Sequence, residues 1–412
     1  MIIKDLSYNK QDLYVIGVSG GPDSMALLDI LFSQGYKLVV CNVNYNTRKE
    51  STYEQTMVKN YCLMKNLMFE GISVTYKKED GNFEAWARDV RYNFFKEVLE
   101  KYNAKALFVA HHQDDLLETY LMQKQRRIIT KYFGLKEETF LANIKVIRPL
   151  LDIRKEELIK YCINNKIPYS IDSTNLENNH LRNRIRNEVL STYSFEDKNK
   201  LLETIRLENQ KRKTNLRNIE SFLLNEKINI NRFNRLEEIE KQLLIFELIT
   251  RKVPETIDRL SRYRINEYIK ILKSEKPNVC IKICGLYYFI REYDCFYVDK
   301  VLEEDNYEYI MKEPSALNVK EFSCDFTCDT TDLKIFKDSY PLKFRSAKEK
   351  DVVKIGEISK KVNRLLIDEK VPFSKRKTYP VVVDKNDKIV YIPLYRSQMQ
   401  KKIANKLKFM LK

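Results

Sequence analysis

The stretch VIGVSGGPDSMALL, residues 15–28, decides the fold. An apolar run reaches two adjacent glycines, Gly20 and Gly21. Pro22, Asp23 and Ser24 follow, and apolar residues then resume at helical spacing. The chain has only 9 Gly in 412 residues, so a pair between a strand and a helix marks a constrained turn. Lacking side chains, the two glycines leave room for a phosphate and can adopt positive φ, so that successive N–H groups converge. A helix beginning near Ser24 turns its positive dipole end to the same place. Ser19 and Ser24 add hydroxyl donors. Asp23 would repel a phosphate unless a divalent cation lay between them, which makes it a candidate Mg²⁺ ligand. A helix-capping aspartate in an ordinary turn is the plain alternative. No Lys follows the glycines, so the GxxxxGK[ST] pattern is absent and cleavage of a γ-phosphate is disfavoured.

Working outward, LYVIGV (13–18) has the length and composition of a buried parallel strand. LVVCNV (38–43), ISVTY (72–76), ALFVA (106–110) and IKVIRPL (144–150) repeat that pattern. Helical periodicity covers 52–66, 82–102 with Asn82 as N-cap, the segment opening at HHQDDLLET, and 154–165. Strands alternating with helices predict a doubly wound, mostly parallel α/β sheet over residues 1–195. Residues 196–312 begin as charge-laced helix and return to β-type alternation from 278, which reads as a largely helical middle domain. Residues 313–412 read as a small basic α+β domain.

Composition narrows the partners. The formal net charge is +16, which points to a polyanion such as RNA more than to lysine enrichment alone. No apolar run approaches the ~20 residues that span a bilayer, so no membrane partner is expected. The N-terminus lacks a signal-peptide pattern, which predicts a cytoplasmic protein. The 8 cysteines are scattered, and the CxxxC spacings at Cys280/Cys284 and Cys324/Cys328 fall far from His111, His112 and His180. Positions along a strand account for them better than a metal site does.

Three further segments carry chemistry. EAWARDVRYNFF (84–95) puts Arg88 and Arg91 at i, i+3 on one helix face. HHQDDLLET (111–119) starts at the carboxyl end of a strand, where doubly wound sheets place ligands. On a helix, His111 would sit one turn from Asp115 and Asp114 one turn from Glu118. Such crowded carboxylates need a shared cation or proton, which suits a second contact with Mg²⁺ or a proton acceptor for an amine. Acids also favour a helix N-terminus for purely structural reasons. The third segment, 147–190, ends with Asp172, Asn175, Arg182, Asn183 and Arg186. Its arginines at i, i+4 suit a polyphosphate or RNA backbone.

The loop SGGPDS (19–24) resembles the SGGxDS PP-loop of the ATP pyrophosphatase superfamily, whose members cleave ATP between the α and β phosphates and adenylate a carbonyl oxygen. With ARxxRYxFF, HHxDDxxET, RPLL, DxxN and RNxxR also present, the chain resembles the tRNA(Ile)-lysidine synthetase family over 13–192, and again over 341–395. The resemblance implies ATP with Mg²⁺, free L-lysine, and a tRNA(Ile) with a CAU anticodon. It implies adenylation at C2 of the wobble cytidine, then displacement of AMP by the lysine ε-amine. It further implies that Ser19 to Ser24 hold ATP and that Asp114, Asp115 or Glu118 orient the lysine ammonium. Arg182 or Arg186 would hold the adenylate phosphate or the anticodon backbone. Arg88, Arg91, Asp172 and Asn175 would face the substrates, while Arg345, Lys360, Lys361, Arg364 and Arg376 would form a cluster on the tRNA body. A homodimer is left open.

Two stretches depart from the family pattern. NVNYNTR (42–48) stands where His-x-Asn-His-Gly-Leu-Arg is usual, and QKQRRIITKYFGL (123–135) replaces a Gly-rich loop. The latter is expected to be ordered differently, or to serve RNA through Arg126 and Arg127. A tRNA thiolase with the same loop is the nearest alternative, but residues 1–195 contain no CxxC. A non-catalytic RNA-binding protein is a further one, disfavoured by the intact SGGPDS and HHQDDLLET.

Overall fold

The computed structural model describes residues 6–47, 50–77, 79, 81–141, 143–170, 181–257, 260–301, 306–327, 339–355, 358–393 and 407–412. They pack as two compact units, Met1–Asn218 and Ile219–Lys412. No described helix is long and apolar enough to cross a membrane.

The first unit is built on a six-stranded sheet. Its chain order is β1 (Leu13–Gly17), α1 (Pro22–Ser33), β2 (Lys37–Asn44), α2 (Glu50–Met64), β3 (Met68–Ser73), α3 (Phe83–Lys101), β4 (Leu107–Phe108), α4 (Gln113–Gln125), β5 (Glu138–Leu141), β6 (Ile144–Ile147) and α5 (Lys155–Asn164). The spatial order is β3-β2-β1-β4-β6-β5, parallel except for β5. The chain leaves β1 toward β2 on one side and returns to β4 on the other. The crevice beyond the ends of β1 and β4 is therefore the switch point where such sheets bind ligands. Both faces are covered, as the near-continuous apolar strands require: α1, α2 and α5 pack on one and α3 on the other. Helix α1 is buried at every position from Ser24 to Leu31. Burying its Met, Leu and Ile side chains stabilises the unit by about 1.5–3 kcal/mol each.

Two strand expectations need correction. The third strand runs over Met68–Ser73 and not 72–76, because its parallel register with β2 pairs Val39 with Met68 and Asn44 with Ser73. The strand at 144–150 ends at Ile147, and β5 folds back on it as an antiparallel edge through a turn with Asn143 at φ 65°. A four-residue edge strand is too short to show a sequence period. Asn82 caps α3 as expected, accepting from the Ala85 N–H at 3.1 Å.

Beyond α6 (Leu181–Arg184) and α7 (Phe195–Leu223), the second unit opens with β7 (Ile228–Asn229), α8 (Ile230–Asn234), α9 (Glu238–Lys252) and α10 (Arg262–Lys273). Strands β8 (Asn278–Cys284), β9 (Tyr287–Glu292) and β10 (Cys295–Lys300) join β7 in an antiparallel sheet. Cys280 and Cys284 lie on β8, as their spacing suggested, while Cys328 is outside the described residues. The C-terminal portion continues with β11 (Glu308–Met311), β12 (Ala316–Asn318), β13 (Phe322–Asp325), β14 (Leu342–Ser346), β15 (Val352–Ile355) and β16 (Ile358–Lys361). It then runs through α11 (Val362–Asp368), α12 (Phe373–Arg376), β17 (Pro380–Val383) and β18 (Ile389–Tyr391). Strands β11, β14, β17 and β18 form a second four-stranded sheet.

Gly17 shows how tightly the first unit's sheet is packed beside the crevice. A Cβ there would lie 2.7 Å from Phe95 Cζ, and that ring is buried between α3 and the sheet. Gly17→Ala must displace Phe95, at a cost of about 1–3 kcal/mol, read as a lower urea midpoint. An unchanged midpoint would refute the packing argument.

Candidate active site

Strand β1 becomes helix α1 through Val18–Gly21, and local hydrogen bonds hold the turn. Gly20 has φ +95°, a left-handed backbone conformation that side-chain-bearing residues rarely adopt, which is what requires glycine there. Ser24 Oγ donates to the Gly21 carbonyl at 3.0 Å and accepts from the Ser19 N–H at 3.2 Å. The Asn42 side chain donates to the Val18 carbonyl at 2.8 Å, and the Ser170 N–H to the Gly20 carbonyl at 2.9 Å. Ser24 thus braces the loop, and Gly21, the N-cap of α1, supplies no side-chain cap to the helix start. Asp23 sits in the first turn. Among the described residues its Oδ1 is buried with no hydrogen-bond partner. Burial pushes its carboxyl above the ordinary range, against the pull of His112 and Lys155.

His112 links this loop to the next helix. As N-cap of α4, its Nδ1 accepts from the Asp114 N–H at 3.3 Å while its own N–H donates to Asp115 Oδ2 at 2.9 Å. Its Nε2 lies 3.6 Å from both Asp23 Oδ2 and Asp115 Oδ2. His111 precedes the helix, contrary to the i, i+4 placement with Asp115 expected from spacing. The capping box starts α4 at Gln113. His111 Nδ1 instead accepts from Arg148 Nε at 3.1 Å.

The carboxylates of HHQDDLLET do share cations, but those cations are side chains of this chain. Glu118, fully buried, accepts from Arg182 Nε at 2.6 Å and Arg186 Nε at 2.5 Å. Arg182 Nη2 also donates to Asp115, and Arg186 Nη2 lies 3.8 Å from the same oxygen. Burial alone would raise Asp115, but His112, Arg182 and the His112 N–H outweigh it and hold the carboxyl below its usual range. Asp114 takes Lys198 Nζ at 2.9 Å. The two guanidinium forks are thus engaged with carboxylates in this conformation and not held open to an external anion.

Two adjoining cavities fill the crevice. One of about 280 Å³ is lined by Gly17 to Ser19, Gly21, Asp23 and Ser24. The other, about 700 Å³, reaches Phe83, Arg126, Arg148 and Arg182. Tyr45, Arg88, Arg91, Tyr92 and His111 line both. Arg88 stacks over Tyr92 at 4.9 Å, so α3 does present both arginines to the site. Tyr45, from the atypical 42–48 stretch, donates its hydroxyl to the Ala87 carbonyl at 2.9 Å and packs on Trp86 and Phe83. The atypical 123–135 loop is ordered by side-chain amides. Gln123 accepts from the Gly134 N–H at 2.8 Å, and Asn209 bonds both the N–H and the carbonyl of Phe133.

Asp172 and Asn175 lie outside the described residues. Two members of the C-terminal basic cluster are corrected. Arg345 is buried in a bidentate pair with Asp351, at 2.7 and 2.9 Å. Arg376 is buried with Nε on the Val371 carbonyl at 2.8 Å. Both hold their own unit together. Lys360 and Arg364 flank Asp368, and Lys361 is exposed. Arg148 is a site residue that sequence reasoning missed, although it is the Arg of RPLL.

Residues 2–193 match the PP-loop domain family, so the fold and the glycine turn define a PP-loop, ATP-using enzyme class. Full-length relatives narrow this. A tRNA(Ile)-lysidine synthase of Mesoplasma florum is 32% identical over 90% of this chain and 94% of its own length. That of Mycoplasma mycoides subsp. mycoides SC is 32% identical over 93% and 96%, and that of Bacillus anthracis 29% over 96% and 92%. The chain belongs to the tRNA(Ile)-lysidine synthase family.

The raised Asp23 carboxyl has a measurable consequence. Ionising it in the folded chain costs stability. That cost is absent below its ordinary value of 3.8 and complete once the pH exceeds the raised folded value. Asp23→Asn should therefore unfold at higher urea than the unchanged chain at pH 7, with the gap closing as the pH falls toward 3.8. A lower midpoint at pH 7 would contradict this.

Proposed function

We propose that this protein ligates free lysine to C2 of the wobble cytidine in the CAU anticodon of tRNA(Ile), with ATP cleaved to AMP and pyrophosphate. The observation that carries the reading is the union, in one crevice, of a phosphate-shaped turn without a P-loop lysine and a second, larger cavity sharing five lining residues with it. ATP takes the first cavity, where backbone donors and the α1 terminus meet charge developing on the phosphates. The splayed cytidine and the lysine take the second. Residues 1–195 carry the chemistry. The middle residues 196–312 and the C-terminal 313–412 position the tRNA body, with Lys360, Lys361 and Arg364 as the accessible cations.

The residues present fit Mg²⁺. A buried carboxylate oxygen with no hydrogen-bond partner among the described residues, beside a phosphate loop, is the donor such an ion takes, alongside substrate phosphates and water. Among the described residues no group of three His, Cys, Asp or Glu gathers to hold a metal by protein alone, which agrees with a site completed by the nucleotide. When bound, the ion supplies neutralisation of the pyrophosphate leaving group. Asp115 and Glu118 hold Arg182 and Arg186 in place. Asp115, held ionised, attracts the lysine ammonium better than it accepts a proton from it.

Incubation of the protein with ATP, labelled lysine and tRNA bearing CAU should place label in the tRNA with release of AMP and pyrophosphate. No label with any tRNA, or label from a sulfur donor instead, would overturn the reading. Asp23→Asn should abolish pyrophosphate release while tRNA binding persists; loss of both would exclude Asp23 as a dedicated metal ligand.

A further inference from the structure

His111 lines both cavities, yet its ring is not free to choose its protonation pattern. Arg148 Nε lies 3.1 Å from His111 Nδ1. A guanidinium only donates and keeps its proton in proteins, so Nδ1 must present a lone pair to it. Arg148 is itself fixed. It is buried, and its Nη1 donates to the Lys136 carbonyl at 3.0 Å and to Thr139 Oγ1 at 2.9 Å on β5. The contact is thus made from a rigid support across the end of the sheet. With Nδ1 occupied, the Nε2–H is the polar group His111 has left to offer a molecule in the cavities.

We propose that Arg148 is a positioning residue that locks His111 in the Nε2–H form, and that His111 thereby serves as a fixed neutral donor to the α-phosphate oxygens during adenylation and not as a base. The second half of this rests on the ATP reading above; the first does not. The surroundings agree. Burial is the largest influence on the imidazole and brings it down to about 4. Asp115 pulls the other way, and Arg148, Arg182 and Arg91 reinforce the burial. His111 is therefore neutral at working pH, with one proton. A donor already carrying its proton at Nε2 cannot take one there, so any proton leaving the lysine ammonium must go elsewhere. A neutral donor in a desolvated site stabilises developing charge without having to reorganise.

The chain contains 3 His, which makes the imidazole nitrogens individually observable by ¹⁵N NMR of the full-length, histidine-labelled protein. The expected spectrum at pH 7 shows His111, identified by its loss in His111→Gln, with Nδ1 unprotonated and Nε2 protonated. Arg148→Met should move that signal out of this state. An Nδ1–H form in the unchanged protein, or a spectrum untouched by Arg148→Met, would overturn the positioning role. This measurement needs no substrate, so it stands or falls apart from the ATP reading. For the donor role, His111→Ala should lose about 100-fold in the rate of pyrophosphate release, whereas His111→Gln, which keeps an N–H donor, should stay within about tenfold. Equal losses in the two variants would refute the donor assignment. Should Arg148→Met fail to fold, the unchanged protein's spectrum and this pair of variants still decide the matter.

Discussion

One imidazole ties together the two loops that form the crevice of the first unit. His112 stands where β4 ends and α4 begins, and its Nε2 lies 3.6 Å from carboxylates of two different helices, Asp23 of α1 and Asp115 of α4. Those helices start at the neighbouring strands β1 and β4, the place where the sheet changes winding direction. A buried carboxylate is costly unless it is paired or hydrogen-bonded. His112 stands beside Asp23 Oδ2 at 3.6 Å, while Oδ1 has no hydrogen-bond partner among the described residues. The fold thereby keeps one buried acceptor oxygen beside a phosphate-shaped turn, at some expense in stability.

The rest of the acidic cluster is treated differently. Glu118 and Asp115 are saturated by Arg182 and Arg186, and Asp114 by Lys198. Such pairing holds several charges in a confined place without mutual repulsion. The cavities share Tyr45, Arg88, Arg91, Tyr92 and His111, so molecules held in the two would be close neighbours.

The legible parts of this arrangement were local. Gly20 and Gly21 between a strand and a helix, Asn82 before α3, and Arg88 with Arg91 on one face all follow from contacts within a few residues. What the sequence concealed depended on distant partners. Arg148 reaches His111 across 37 positions, and Arg182 reaches Asp115 across 67. No spacing rule reports either. Arg345 and Arg376 look like any basic surface residues until Asp351 and the Val371 carbonyl are seen to claim them. The edge strand β5 was hidden by its length, and His111 seemed helical because the capping box that excludes it is set by His112.

The central claim is that this crevice activates a carbonyl oxygen by adenylation. If so, the oxygen at C2 of the cytidine must leave with AMP when the lysine nitrogen takes its place. A CAU-anticodon tRNA carrying ¹⁸O at that position, incubated with ATP and lysine, should give AMP with one ¹⁸O, read by mass spectrometry. Unlabelled AMP, with the ¹⁸O retained in the tRNA or released to water, would contradict the account.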